Sequence, residues 1–244
     1  MLGITQQMTL TEFKALGFNG QRCTALKIVF VHKSRRQELL DRLSEAVGKM
    51  RAGLPWVKGV QLTPVADQRA TQWLEELIED AKAKGASVVN PGGGERIENY
   101  VHPAILFPVT PDMRVHEVEQ FGPIIPIREY EDVSEVMKYA TESPFGQQAS
   151  VFGYDPTVLG PMIDALVNQV SRVNLNVQCQ RGPDTFPFTG RKASAMGTLS
   201  VDDALKRFSI RSLVATDYSE RNRDLINEIL ARRTSNFLRT DFLF

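Results

Sequence analysis

The side chain with the clearest chemical potential is Cys23, in the segment FNGQRCTALK (residues 18–27). The thiolate is the nucleophilic form of cysteine, and a neighbouring cation or a partly exposed electropositive setting favours it. Gly20 permits a close backbone approach or an unusual turn, and Arg22 sets a permanent cation beside the sulfur. Taken alone, a single cysteine is more often an inert buried thiol, so these neighbours favour a nucleophile without proving one. The second thiol, Cys179, lies close to Arg181 in sequence and reads as a bystander. Arg22 and Arg181, each taken alone, would more often be surface residues. Phe186 and Phe188 could wall a substrate entrance, and core packing is an equal reading. His32, His102 and His116 show no metal-ligand spacing, so no metal site is expected.

Positioning such groups requires a scaffold, and the chain supplies a pattern for one. Short β-branched runs alternate with helical segments, which predicts a parallel sheet flanked by helices. The runs are KIVFVH (27–32), ASVVN (86–90), PAILFPV (103–109), PIIPIREY (123–130), QASVFGY (148–154) and RVNLN (172–176). Nearly continuous apolar strands are what burial on both faces demands. Cys23 follows a segment of helical character (9–18) and precedes the first run, so a helix-to-strand junction should hold it at a cleft edge. Ser34 with Gln37 and Asp132 with Glu135 have capping-box spacing and predict two helix starts. Asp155 followed by Pro156 predicts a third, with Val158, Leu159, Met162, Ile163, Leu166, Val167 and Val170 forming one apolar stripe. Trp73, Leu77, Ile78 and Ala81 form another stripe, closed by Gly85. The glycines of residues 91–94 do not open a helix in a GxGxxG frame, and a surface loop is expected there. After Thr198 come a short helix, a long extended run FSIRSLVAT (208–216), a helix from about Ser219 to Arg233, and the apolar ending SNFLRTDFLF. That ending, with Phe237, Leu238, Phe242, Leu243 and Phe244, should dock on a subunit or on its own domain.

Bulk properties exclude several classes. The 244 residues balance 29 Lys plus Arg against 29 Asp plus Glu, so no global field draws the chain to nucleic acid or anionic lipid. With 42% hydrophobic and 24% charged residues the composition is that of an ordinary globular protein. Two cysteines make a poor disulfide framework and fit a reducing compartment. The N-terminal residues lack the basic and apolar segments of a signal peptide, and no run approaches the ~18 apolar residues of a membrane span, so a cytoplasmic location is expected.

Three segments together resemble the aldehyde dehydrogenase superfamily: GFNGQRCTALK (17–27) its active-site motif, EQFGPIIPI (119–127) its EExFGP segment, and FPFTGRKASAMG (186–197) its PFGGxKxSGxG segment, in the family's order. NGQRCTALK with QCQRGPDTFPFTGRK is most similar to the NADP-dependent, non-phosphorylating glyceraldehyde-3-phosphate dehydrogenase branch. The resemblance implies an α/β fold: a parallel-sheet catalytic domain over residues 1–206, truncated at its N-terminal side, and an oligomerisation strand, helix and tail over residues 207–244. It implies that Cys23 attacks an aldehyde carbonyl to give a thiohemiacetal, which loses hydride to NADP (or NAD) and leaves a thioester for water to hydrolyse. Cys23 would also offer its backbone N–H to the oxyanion. Glu119 matches the carboxylate that bonds the nicotinamide ribose, and Phe121 the aromatic beside the nicotinamide ring. Arg22 and Arg181 match positions that hold the substrate phosphate, and Phe186 and Phe188 border the substrate path. Val118 and Gln120 depart from the family pattern.

In that family a Rossmann-like cofactor domain with its phosphate-contacting lysine, an oxyanion asparagine and an ELGG-type glutamate precede the cysteine motif. The 244 residues hold no counterpart of them, so the isolated chain is expected to bind cofactor weakly and turn over poorly. The expected function is oxidation of an aldehyde, glyceraldehyde 3-phosphate by resemblance, to the acid with NAD(P). The alternative is a non-catalytic oligomerising or regulatory chain that pairs with full-length paralogues. A small aldehyde is the expected small-molecule partner, and a homo-oligomer or a paralogue pairing the expected assembly, with no nucleic acid or membrane involved.

Overall fold

A computed structural model of the protein describes residues 14–238. Contacts divide the chain into two units, Met1–Asp203 and Ala204–Phe244. No helix among the described residues is long and apolar enough to cross a membrane.

The first unit is organised around a four-stranded sheet. Its strands are β1 (Val29–His32), β2 (Ser87–Val88), β3 (Ala104–Phe107) and β4 (Ile124–Tyr130), in the order β1-β4-β3-β2. β1 and β4 run parallel with Val29 opposite Ile127, and β3 and β4 run parallel with Ala104 opposite Ile124. A separate parallel pair joins β5 (Gln148–Val151) to β6 (Arg172–Leu175). Each expected apolar run therefore contributes a strand. One departs from the parallel expectation, because β2 pairs antiparallel with β3. After β2 the chain runs through the Pro91–Gly94 turn and a short antiparallel hairpin, Arg96–Ile97 with Tyr100–Val101, before entering β3, and with no crossover helix it comes back in the opposite direction, whereas a parallel neighbour needs a crossover. Asn90 holds this turn, donating to the Pro103 carbonyl at 2.7 Å and accepting from the Ile105 N–H at 2.8 Å.

Side chains alternate across the sheet into two apolar clusters. Val29, Val31, Ile105, Ile125 and Ile127 pack with Leu39, Leu40, Leu43 and Val47 of helix α1 (Arg36–Gly48). Ile28, Phe30, Ala104, Leu106 and Ile124 face the other way, against Leu74, Leu77, Ile78 and Ala81 of α2 (Gln68–Ala83). Period-two alternation puts helices on both faces, which is why the strands read as continuous apolar runs. Beyond the short α3 (Arg114–Glu117) lie α4 (Val133–Glu142) and α5 (Pro156–Leu166). α4 begins with the complete Asp132–Glu135 capping box. α5 begins at Pro156 with the Asp155 carboxylate accepting from the Thr157 N–H at 2.9 Å. Met162, Leu166 and Val170 of its stripe are buried, while Val158 and Val167 stay exposed. Gly85, at φ +101°, makes the turn that lets the chain leave α2 for β2.

Two local expectations are corrected. Ser34 does not cap α1: a 3₁₀ turn occupies Lys33–Arg35, the His32 imidazole accepts the Ser34 N–H, and the helix starts at Arg36 without a side-chain cap. The helical segment before Cys23 is a 3₁₀ stretch over Lys14–Gly20 in which Gly17, Phe18 and Asn19 leave helical dihedrals, and residues 9–13 lie outside the described residues.

The second unit contains α7 (Glu220–Arg232), capped by the Ser219 side chain and closed by Arg233 in the left-handed region at φ 51°. The preceding short helix α6 spans Val201–Arg207 and runs across the division between the units. Residues 208–216 form no strand pairing among the described residues. Phe208, Ile210 and Leu213 are 93%, 96% and 83% exposed. Phe237 and Leu238 of the apolar ending are described; Phe242, Leu243 and Phe244 lie outside the described residues.

Candidate active site

Two loops enter the sheet side by side: the Cys23 loop leads into β1, and the Glu119–Pro123 loop leads into β4. Because β1 and β4 are parallel neighbours, both loops arrive at the same, N-terminal edge of the sheet. Gly20 fixes their contact. It sits at φ +72°, and a Cβ there would lie 2.3 Å from the Gly122 carbonyl oxygen, so the two loop backbones touch where only glycine fits. Asn19, 4% exposed, anchors the loop from the other side by donating to the Thr63 hydroxyl at 2.8 Å and accepting from the Thr63 N–H at 3.1 Å. Buried Gln120 completes the clamp, its amide donating to the carbonyls of Leu26 (2.8 Å), Lys27 (3.2 Å) and Ile124 (3.2 Å). Gln120, a departure from the family pattern, thus has a structural role.

The thiol of Cys23 is exposed. It borders a cavity of about 330 Å³ whose wall also includes Glu119, Phe121, Lys27, Tyr139, Ser194 and Cys179. Apolar side chains from Leu26, Ile28, Phe30, Leu166 and Val170 complete much of the lining. Phe121, at φ 46° and 47% exposed, stands at the rim. Among the described residues no acceptor takes the Cys23 backbone N–H, and it remains available to an incoming oxygen.

Of the residues singled out from the sequence, Cys23, Glu119 and Phe121 meet at this cavity. Arg22, Arg181, Phe186 and Phe188 do not line it. Arg22 turns toward Phe18, its guanidinium 5.5 Å from the ring centroid, and donates to the Thr24 hydroxyl at 2.7 Å. Arg181 is exposed and lies 5.6 Å from the Phe188 ring centroid, and Arg172 covers Phe186 at 5.4 Å. Phe186 is 51% exposed, so core packing does not describe it. Cys179 is more than a bystander in position: its sulfur is in the cavity wall, 3.2 Å from the Ser150 hydroxyl. Sequence reasoning missed Lys27 and Tyr139. Lys27 stands between Leu26 and Ile28, both buried, at the start of a buried strand, and a cation in that apolar setting is the signal that would have found it. Burial lowers the Lys27 ammonium to about 7 against the attraction of Glu119, and burial raises the Tyr139 hydroxyl to about 12. Among the described residues no group of three or more His, Cys, Asp or Glu could hold a metal ion.

The third sequence segment closes the wall. Arg191–Lys192 pairs antiparallel with Phe145–Gly146, and the Lys192 ammonium donates to the carbonyls of Ala140 (2.6 Å), Thr141 (3.0 Å) and Ser143 (2.9 Å). A lysine thus satisfies carbonyls at the C-terminal end of α4 and sets Ala193 and Ser194 against the cavity.

Comparison with known proteins agrees with this geometry. The chain is 36% identical over 187 residues to an NADP-dependent glyceraldehyde-3-phosphate dehydrogenase of Streptococcus equinus, covering 77% of this chain and 38% of the relative. Against the protein of the same name from Arabidopsis thaliana it is 35% identical over 188 residues, covering 77% and 37%. The chain therefore spans less than two-fifths of the length of these relatives. The crystal structure of NADP-dependent glyceraldehyde-3-phosphate dehydrogenase from Bacillus halodurans C-125, complexed with NADP, superposes with a TM-score of 0.74 at 33% identity, over 84% of this chain and 43% of that one. The model of the aldehyde dehydrogenase family matches residues 3–214, and with Cys23, Glu119 and Phe121 gathered at one cavity, the chain belongs to the aldehyde dehydrogenase family.

Proposed function

We propose that this chain is a catalytic portion of an NADP-dependent aldehyde dehydrogenase, acting on glyceraldehyde 3-phosphate through Cys23. The observation that carries the reading is the exposed Cys23 thiol at the mouth of a cavity that also presents Glu119 and Phe121. The substrate and cofactor come from what the relatives are named for. Residues 1–206 take the catalytic role. Residues 207–244 take oligomerisation, which the exposure of Phe208, Ile210 and Leu213 supports.

In this reading the Cys23 sulfur adds to the aldehyde carbon. A C–S bond forms, and the carbonyl π pair moves to oxygen, where the Cys23 N–H offers a hydrogen bond. Glu119 and Phe121 fit the nicotinamide end of the cofactor: the carboxylate offers acceptors for ribose hydroxyls, and the Phe121 ring offers an open face. NADP, when bound, supplies the two-electron acceptor. Arg22 and Arg181, each with guanidinium N–H groups outside any ion pair among the described residues, provide the donors for the substrate phosphate. Phe186 and Phe188 border the approach.

The test measures alkylation of Cys23 by iodoacetamide in the purified chain. Glyceraldehyde 3-phosphate is expected to slow it at lower concentration than propanal does. Arg22→Ala should remove that difference while leaving protection by propanal. Alkylation at one rate with and without either aldehyde would refute the proposal.

A further inference from the structure

We infer that Lys27 is a second nucleophile of the Cys23 cavity, an amine that captures small apolar aldehydes as an imine. The inference rests on the reading that the cavity admits an aldehyde, and it adds a reaction that the Cys23 chemistry does not use.

The geometry begins with the backbone. Gln120 donates to the Lys27 carbonyl at 3.2 Å, which fixes the residue at the entrance to β1. The side chain lies on the cavity wall with Leu26, Ile28 and Phe30, and its amine donates to the Val115 carbonyl in the short helix α3. Val115 is fully buried, so this acceptor belongs to the interior. Among the described residues Lys27 forms no ion pair, and Glu119 is the opposite charge that acts on it. The other ionisable group that senses Lys27 is His116, whose imidazole burial, Arg128 and Lys27 hold down to about 4, so at pH 7 it is neutral and adds no like charge. An ammonium without a counterion in a largely apolar wall is costly, and loss of a proton relieves that cost.

At pH 7 an amine of pKa about 7 is half neutral, whereas an ordinary lysine near 10.4 is neutral in only about one molecule in 2,500. The neutral amine keeps an N–H for Val115 and carries a lone pair no longer held by a proton. That lone pair attacks the aldehyde carbon and forms a C–N bond, while the carbonyl π pair moves to oxygen. The nitrogen gives up a proton and the oxygen takes one, yielding a carbinolamine. That oxygen then takes a second proton and leaves as water while the nitrogen lone pair forms C=N, and the resulting iminium gives up its remaining nitrogen proton to become the imine. The sum is amine plus aldehyde to imine plus water, with no oxidant or reductant required. Glu119, on the same wall, is the charged group placed to relay the protons. The apolar lining of Leu166, Val170 and Ala149 selects short hydrocarbon aldehydes for this reaction.

The test incubates the full chain with butanal and sodium cyanoborohydride, which reduces an imine to a stable N-butyl amine, and maps adducts by peptide mass spectrometry. Exposed Lys58 serves as the internal reference. At pH 7 the Lys27 peptide is expected to be labelled at least ~10-fold faster than the Lys58 peptide, allowing for the lower intrinsic nucleophilicity of a less basic amine. The Lys27 rate should level off above about pH 8 while the Lys58 rate keeps rising. Lys27→Arg should lose the adduct at that peptide alone, and the wild-type mapping stands even if that variant folds poorly. Lys27 unmodified while Lys58 is labelled, or a Lys27 rate that rises with pH in step with Lys58, overturns the inference. Butanal protection of Cys23 from iodoacetamide, measured in parallel, separates the two readings: protection without a Lys27 adduct removes only the amine role, and absence of both removes both.

Discussion

Replacing Gly20 with alanine tests the physical link between the two loops of the site. The residue sits at φ +72°, where an L side chain costs about 1–2 kcal/mol. The added Cβ would lie 2.3 Å from the Gly122 carbonyl oxygen, and ordinary contact requires roughly 1 Å more. The opposing atom is backbone, so no rotamer change relieves the clash, and overpacking of this kind costs about 1–3 kcal/mol. The expected loss is therefore about 2–5 kcal/mol, a large part of the ~5–15 kcal/mol by which domains are usually stable. If the loops part by ~1 Å instead, Cys23 moves by a comparable amount, and aldehyde addition should slow on the order of 100-fold. Urea unfolding of the full chain followed by tryptophan fluorescence gives the first quantity. Aldehyde protection of Cys23 from alkylation gives the second. Gly48→Ala is the control: it lies at the end of α1 with nothing within 4 Å of its Cβ, and it should gain about 0.5–1 kcal/mol. A Gly20→Ala protein with both unfolding midpoint and aldehyde protection within error of wild type would refute the reasoning.

Other measurements address the surroundings of the cavity. The His116 imidazole is held at about 4, first by burial and then by Arg128 and Lys27, against about 6.5 when unfolded. The unfolded chain therefore binds this proton first as pH falls, so the stability linked to His116 is complete above about pH 6.5 and is lost toward pH 4, by about 3 kcal/mol at most. His116→Phe should flatten that part of the unfolding midpoint versus pH curve, and an unchanged slope would exclude His116 as its source. Lys192→Met removes three hydrogen bonds to carbonyls at the end of α4. It should lower stability by about 1–3 kcal/mol and speed hydrogen exchange in residues 139–146; unchanged exchange would show that α4 ends without its help.

Much of the scaffold was written locally. Asp132 with Glu135 specify α4 through side-chain hydrogen bonds within one turn, and Asp155, accepting from the Thr157 N–H, with Pro156 pre-set at the first helical position specify α5, so sequence spacing alone identifies both. The same spacing at Ser34 and Gln37 misleads because His32 takes the Ser34 N–H and a 3₁₀ turn precedes the helix. The direction of β2 depends on where the chain returns after Asn90, a non-local matter absent from the run ASVVN. Cys23, Glu119 and Phe121, each in a compact motif, meet at one cavity. Arg22 and Arg181 resist prediction because long flexible side chains choose partners in space, and here they rest on Phe18 and Phe188. Lys27 went unnoticed although the sequence sets it between Leu26 and Ile28; how far it is buried, and that Glu119 is the opposite charge near it, are properties of the folded interior.

The parallel pairing of β1 with β4 has a consequence for how the site tolerates change. Val29 opposite Ile127 sets the offset between the two loops in steps of one residue, roughly 3.3 Å each. A slip of one step would also turn Val29 and Val31 from the α1 side toward the α2 side, stranding both apolar clusters. The sheet therefore works as a ruler with coarse, well-separated marks. Thermal motion can bend the loops but cannot change their count, and the separation between thiol and carboxylate is digital at the level of the fold and analogue only within a single mark.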